Sequence, residues 1–155
     1  MPNVVYSCGA LVHGSTLVLP YGCNDATIRV ALIDVPQLLE AIRKFRPTFA
    51  ALVPTMYIGM LNHPDLKKTD MSCIKGAFSG SAPLPVEVIH EFERLTGAVI
   101  VEGFGLTETT PVTHVNPFAG GARKVGSVGV PISDTEARIV DLETGLVDQP
   151  VNTPG

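Results

Sequence analysis

Charge is scarce in this 155-residue sequence: Lys and Arg number 11, Asp and Glu 15, and charged residues make up 17% against 45% hydrophobic ones. So few and scattered cations argue against a nucleic-acid binder, which needs a basic stripe to displace counterions from phosphates. The densest basic pairs are Lys67-Lys68 and Arg123-Lys124, and the second reads as a solvated turn. Cysteine is sparse too. Cys8, Cys23 and Cys73 are an odd set with no CxxC spacing and no histidines at zinc-ligand intervals, so no structural metal is expected and a reducing, cytoplasmic setting fits best. His90-Glu91-Phe92-Glu93 starts like HExxH and does not complete it. Neither GxxxxGK[ST] nor GxSxG occurs, which argues against phosphate-loop NTPase and α/β-hydrolase chemistry. The apolar residues near the start are interrupted by Gly9, His13 and Gly14, so neither a signal peptide nor a membrane span is expected.

What the sequence has is a repeating apolar pattern. Residues 5–12 read as a short buried helix stopped by Gly14, and Thr16-Leu17-Val18-Leu19 as a brief strand ending at Pro20. Asp34 can cap a helix whose Val35, Leu38, Leu39, Ile42 and Phe45 fall at helical spacing until Pro47 stops it. Residues 49–53 form a continuous apolar run, short enough for a strand buried on both faces, and Pro54 opens a helix to about Asn62. The alternation repeats. Residues 74–78 read as a strand, Ser79-Gly80-Ser81-Ala82-Pro83 as a turn, Pro85 as the start of a helix with Val88, Ile89, Phe92 and Leu95 inward, Gly97 as its end, and residues 98–101 as the next strand. Residues 136–140 read as a last strand. Strand and helix in alternation predict an α/β fold with a mainly parallel sheet flanked by helices, and ligands at the carboxyl ends of its strands.

Two small-residue loops fall at that place, Ser79-Gly80-Ser81-Ala82-Pro83 and Glu102-Gly103-Phe104-Gly105-Leu106-Thr107-Glu108. Glycine at such a tip lets a ligand approach the backbone and leaves amides available. Phe104 offers a ring face for stacking, Thr107 a hydroxyl for a phosphate oxygen, and Glu108 a hard oxygen for magnesium carried by a nucleotide. Taken singly, each has a plainer reading: a core aromatic, a helix cap, a solvated carboxylate. The lone His114 reads as a surface or hydrogen-bonded group. The second loop also departs from GxGxxG, because Glu108 stands where the third glycine would be.

Gly80-Ser81-Ala82-Pro83-Leu84-Pro85 followed by Glu102-Gly103-Phe104-Gly105-Leu106-Thr107-Glu108-Thr109 resembles the adenylate-forming (AMP-binding) superfamily, acyl-CoA synthetases in particular. Arg46-Pro47-Thr48, Val53-Pro54-Thr55, Gly126-Ser127-Val128-Gly129 and residues 136–141 extend the resemblance over nearly the whole chain, and residues 112–117 and 126–141 are most similar to long- and medium-chain fatty-acid CoA ligases. The resemblance implies a two-step ligase. A carboxylate attacks the α-phosphorus of ATP to give acyl-adenylate and pyrophosphate, and coenzyme A then displaces AMP. It further implies that Gly80, Ser81, Ala82 and Pro83 with Glu102, Gly103, Phe104, Gly105, Leu106 and Thr107 bind ATP or AMP, and that Thr107 and Glu108 act catalytically, Glu108 holding Mg2+. Val53, Pro54, Thr55, Ser79, Gly80 and Gly105 would face a fatty acid or related carboxylate. The family often has Tyr at the Phe104 position; Phe keeps the stacking face and lacks the hydroxyl.

The family's Ser/Thr/Gly-rich phosphate loop, ribose-binding aspartate motif and lysine-bearing C-terminal domain do not occur in this sequence. Residues 1–155 are therefore expected to be a single partial domain of the acyl-CoA synthetase fold, inactive alone and prone to self-association through exposed apolar faces. Alternatives are another adenylate former, such as an aryl-CoA ligase or a peptide-synthetase adenylation domain, and a non-catalytic nucleotide-binding module.

Overall fold

In a computed structural model, residues 5–7, 11–23, 27–109 and 112–155 are described. The expected helix over residues 5–12 is not there: residues 8–10 lie outside the described residues, and on either side the backbone is extended as β1 (Val5–Ser7) and β2 (Leu11–His13). Both pair antiparallel with β3 (Thr16–Cys23), which pairs in turn with β4 (Thr27–Asp34). Gly14, with φ at +61°, turns β2 into β3, a conformation that costs glycine nothing. β3 runs on through Pro20 because that residue falls in the gap between the stretch facing β2 (16–18) and the stretch facing β1 (21–23), where the missing N–H breaks no bond on that edge.

The periodic segments form as read. Helix α1 (Val35–Phe45) buries Val35, Leu39 and Ile42 and ends where Arg46 turns left-handed. Asp34 occupies its N-cap without a side-chain bond; the Val35 N–H donates to Ser15 O instead (3.0 Å). Phe45, expected inward, is 73% exposed and carries the Lys44 ammonium 5.3 Å from its ring centroid.

A five-stranded sheet follows in the order β5 (Phe49–Leu52), β6 (Gly76–Ser79), β7 (Val99–Gly105), β8 (Val112–Val115), β9 (Val130–Pro131). The first three strands are parallel, with α2 (Pro54–Leu61) and α3 (Val86–Thr96) in the two crossovers; β8 and β9 join antiparallel. The fold is α/β with a mixed sheet and flanking helices. β5 is an edge strand, not one buried on both faces, and Phe49 is 51% exposed because nothing among the described residues pairs beyond it. β6, between two neighbours, is almost wholly buried.

Tyr57 of α2 and Phe92 of α3 meet edge to face at 5.0 Å and are fully buried with Met60, Ile74, Ala77, Ile89 and Ile100. A side chain the size of Phe92 contributes roughly 1.5–3 kcal/mol by leaving water. Residues 136–140 form no strand; only a bridge between Val140 and Asp148 marks them. No helix among the described residues is long and apolar enough to cross a membrane.

Candidate active site

The first loop leaves the carboxyl end of β6, where the buried Tyr57 hydroxyl donates to Phe78 O (3.0 Å). Burial pushes the Tyr57 phenol well above its ordinary value, so it stays a neutral donor that ties α2 to this strand end. Ser81 then adopts a left-handed backbone, φ +71°. The second segment differs from the loop expected: Glu102, Gly103, Phe104 and Gly105 continue β7, Glu102 pairing with Ser79 of β6 and the next three residues with β8, with a register shift between Phe104 and Gly105. β8 supplies a partner strand that the local sequence of β7 does not announce. Only after Gly105 does the chain turn, through a short helical turn, Thr107–Thr109, closed by Thr109 Oγ1 on both the N–H and the carbonyl of Leu106 (3.0 and 2.9 Å).

One aromatic ring joins the two motifs. A Cβ added at Gly80 would come within 2.9 Å of the Phe78 ring, and one added at Gly103 within 2.5 Å of the same ring and 3.0 Å of His114 O. Glycine is needed at both because Phe78 lies against both backbones.

The outcome is a cavity of about 480 Å³ lined by Ser79, residues 81–83, residues 102–106 and residues 126–128. It lies at the carboxyl ends of β6 and β7, where a parallel sheet leaves room for ligands. Its volume is within the range of roughly 300–1,000 Å³ usual for small-molecule sites. Phe104, 46% exposed, keeps a ring available beside Gly103 and Gly105, and its other neighbour is the His114 ring, 6.3 Å away between centroids. The half-buried His114 has Nδ1 2.9 Å from Thr113 Oγ1, and Thr113 Oγ1 also donates to Phe104 O. A second depression, about 500 Å³, lies on α3 alone, lined by Val86, Glu87, His90, Glu91 and Arg94, and draws in neither glycine motif.

Of the candidate residues, Ser79, Ser81, Ala82, Pro83, Glu102, Gly103, Phe104, Gly105 and Leu106 come together around the cavity. Gly80 sits behind them on Phe78, and Thr107 and Glu108 are exposed in the turn that follows Leu106. Val53, Pro54 and Thr55 open α2, one strand over, and do not line it. Two buried hydroxyls, Thr55 Oγ1 and Ser79 Oγ, have no hydrogen-bond partner among the described residues. No group of three or more His, Cys, Asp or Glu among the described residues could hold a metal ion. A single carboxylate such as Glu108 could still serve magnesium, which takes one or two carboxylates and completes its shell with phosphates and water.

Sequence reasoning missed three contributors. Phe78 was signalled only as an aromatic just before a glycine loop. Residues 126–128 belong to a glycine-flanked motif matched for its resemblance and not as a wall of the site. Arg123 is no solvated residue: its guanidinium forks onto Glu93 Oε1 and Oε2 (2.6 and 3.1 Å) and donates to Ile100 O, a pairing across 30 positions that no local pattern reveals.

With this geometry in hand, the comparisons are specific. A profile described as AMP-binding enzyme matches residues 3–155. The long-chain-fatty-acid–CoA ligase of Bacillus subtilis (strain 168) is 45% identical over 141 residues, covering 90% of this chain and 25% of that protein. The mitochondrial medium-chain acyl-CoA ligase ACSF2 of Macaca fascicularis is 35% identical over 159 residues, all of this chain and 25% of that protein. The crystal structure of the anthranilate CoA ligase AuaEII in complex with anthranoyl-AMP superposes with a TM-score of 0.68 at 29% identity, over 75% of this chain and 22% of that one. The chain thus spans about a quarter of the length of these relatives. The family match over nearly every residue and the convergence of both motifs on one cavity lead to one statement: the chain belongs to the AMP-binding enzyme family.

Proposed function

We propose that this chain carries the adenine side of the active site of a fatty-acid CoA ligase, an ATP-dependent acid-thiol ligase, and that residues 1–155 are a partial large domain without the phosphate loop and the C-terminal domain. The observation that supports this most is the single cavity shared by residues 81–83, 102–106 and 126–128, with an exposed aromatic face among glycines. In this reading Phe104 stacks on adenine, and the backbone around Ser81, Ala82, Pro83 and Gly105 lines the rest of the nucleotide and the reacting carboxylate. Thr107 donates to the α-phosphate from the turn beyond Leu106. Glu108 binds magnesium there, and the ion, when bound, screens the phosphate charge.

The chemistry suits a site without an activated nucleophile. A carboxylate is already ionised near pH 7, so attack on the α-phosphorus needs no general base, only screening of charge and in-line positioning. Most of that stabilisation would come from the phosphate loop and the lysine, so the isolated chain is expected to turn over negligibly. Val53, Pro54 and Thr55, with Ser79 and Gly80, would lie toward the acyl group, where the two unpartnered hydroxyls supply polar contacts near an otherwise apolar wall. Coenzyme A would arrive in the second step. Self-association through exposed apolar residues such as Val30, Leu32 and Phe49 belongs to the same proposal, and a single monomeric species at every concentration in sedimentation would reject it. The buried Cys73 thiol and the odd cysteine set support a reducing, cytoplasmic compartment.

The test is pyrophosphate exchange by the full-length ligase carrying this segment, across fatty and aryl acids. Long- or medium-chain acids should drive exchange best, and Glu108→Ala should reduce it by roughly a hundredfold or more with little change in melting temperature, as expected when a charge that acts mainly in the transition state is removed. Unchanged exchange in that variant rejects the Glu108 assignment. The likeness to an anthranilate ligase keeps an aryl acid as the second reading, and preference for benzoate-type acids would select it.

A further inference from the structure

The wall at residues 126–128 has no regular secondary structure, yet it is tied down by a closed ring of hydrogen bonds centred outside the cavity. Asn116, just past β8, is 2% exposed and does not line the site. Its backbone N–H donates to Glu102 O (2.9 Å), its Oδ1 accepts from the Lys124 N–H (3.0 Å), and its Nδ2 donates to Ser127 O. The ring closes where the Gly126 N–H donates to Glu102 Oε2 (2.9 Å). The Asn116 amide has an acceptor and a donor at its two ends, and here each end holds one side of the same loop. Gly129 fixes the exit: at φ +89° its backbone lies so close to Val115 that an added Cβ would be 2.2 Å from that carbonyl.

An outer anchor precedes the ring. β8 pairs with β7 only from Gly103 onward, so among the described residues Ile100 has no strand on that side. Glu93 Oε1 accepts the Ile100 N–H (2.7 Å), and Arg123, forked onto Glu93, donates to the Ile100 carbonyl. This ion pair takes the place of the absent strand and, in doing so, fixes the chain one residue before Lys124.

We infer that Asn116 is a positioning residue, backed by the Arg123–Glu93 anchor, that holds the 126–128 wall in register with Phe104 and so sets how well the cavity takes the nucleotide rather than the acid. The inference rests on the nucleotide reading of the cavity, and its test separates the two. In the full-length ligase, Asn116→Asp keeps the acceptor for the Lys124 N–H and sets an oxygen against Ser127 O. Hydrogen–deuterium exchange should speed by about tenfold over residues 124–129 and stay unchanged over α2, since opening is local. In pyrophosphate exchange the KM for ATP should rise by about tenfold while the KM for the acid holds.

Unchanged exchange over residues 124–129 overturns the inference, and so does a rise of both KM values together, which a merely structural role would give. If Asn116→Asp does not fold, Arg123→Lys, which keeps the charge and loses the fork, is judged by the same two readouts with a change of about threefold. A wild-type protein without ATP-dependent exchange overturns the ligase reading; acceleration confined to residues 124–129 would then still support the clamp.

Discussion

Phe104 and Glu108 divide the candidate chemistry between a stacking face and a metal-binding oxygen, and they stand in different local structures. Phe104 is held in β7 by pairing with His114, whereas Glu108 rides on a three-residue turn closed by the Thr109 hydroxyl and backbone N–H on Leu106. In the proposed reading the stacking face is therefore built into the sheet, and the Glu108 carboxylate is placed by the turn. Asp141 shows what carboxylate hydrogen bonding does elsewhere in the chain. The Thr144 and Val147 amides and the Thr144 hydroxyl donate to it and hold its carboxyl well below its ordinary value of 3.8. A depressed folded value means that the stabilisation is complete above the ordinary one and is lost as pH falls through the lower one. The amide resonances of Thr144 and Val147 should therefore titrate with a midpoint below 3.8, whereas a midpoint at or above it would show that these bonds do not favour the ionised form.

Glycines separate the elements that are fixed by contact from those fixed only by conformation. Gly97, the left-handed cap of α3, has open space where a Cβ would go, so Gly97→Ala should cost about 1–2 kcal/mol, the strain of the left-handed backbone alone. Gly129→Ala adds a backbone collision at Val115 and should cost roughly 3 kcal/mol or more, with chemical denaturation as the measurement. Equal losses at the two positions would contradict the close approach of this segment to β8. The same distinction separates what was legible in the sequence from what was not. Helices α1 and α3 were readable because their burial follows a local period and their ends carry the Pro47, Pro85 and Gly97 signals. The N-terminal strands were not, since a short apolar run at residues 5–12 fits either period and its pairing with β3 is a tertiary choice. β5 was misjudged in burial because edge or interior position depends on sheet order, which no strand encodes by itself. Both glycine motifs of the site were visible; the Phe78 ring that brings them together, the third wall and the Arg123–Glu93 pair were not, because each is a contact between distant segments.

Taken together, the elements form two sheets with the cavity at one end of the larger one, and with apolar residues left at exposed positions on β4 and β5; Leu32 is 70% exposed. If the cavity takes a nucleotide as proposed, a chain that spans a quarter of its relatives' length and supplies three of its walls is expected to bind that nucleotide weakly, because in that reading the phosphate-loop contacts come from outside these residues. The most direct measurement is a titration of the isotope-labelled chain with AMP followed by amide NMR. The amides of Ser81, Ala82, Gly103, Phe104, Gly105, Gly126 and Val128 should shift together along one binding curve with a dissociation constant in the millimolar range, roughly −4 kcal/mol, while His90 and Arg94 on the outer face of α3 stay still. Shifts confined to α3, or to only one of the two glycine motifs, would contradict a shared nucleotide cavity, and nanomolar binding would favour a self-sufficient nucleotide-binding module over part of a ligase.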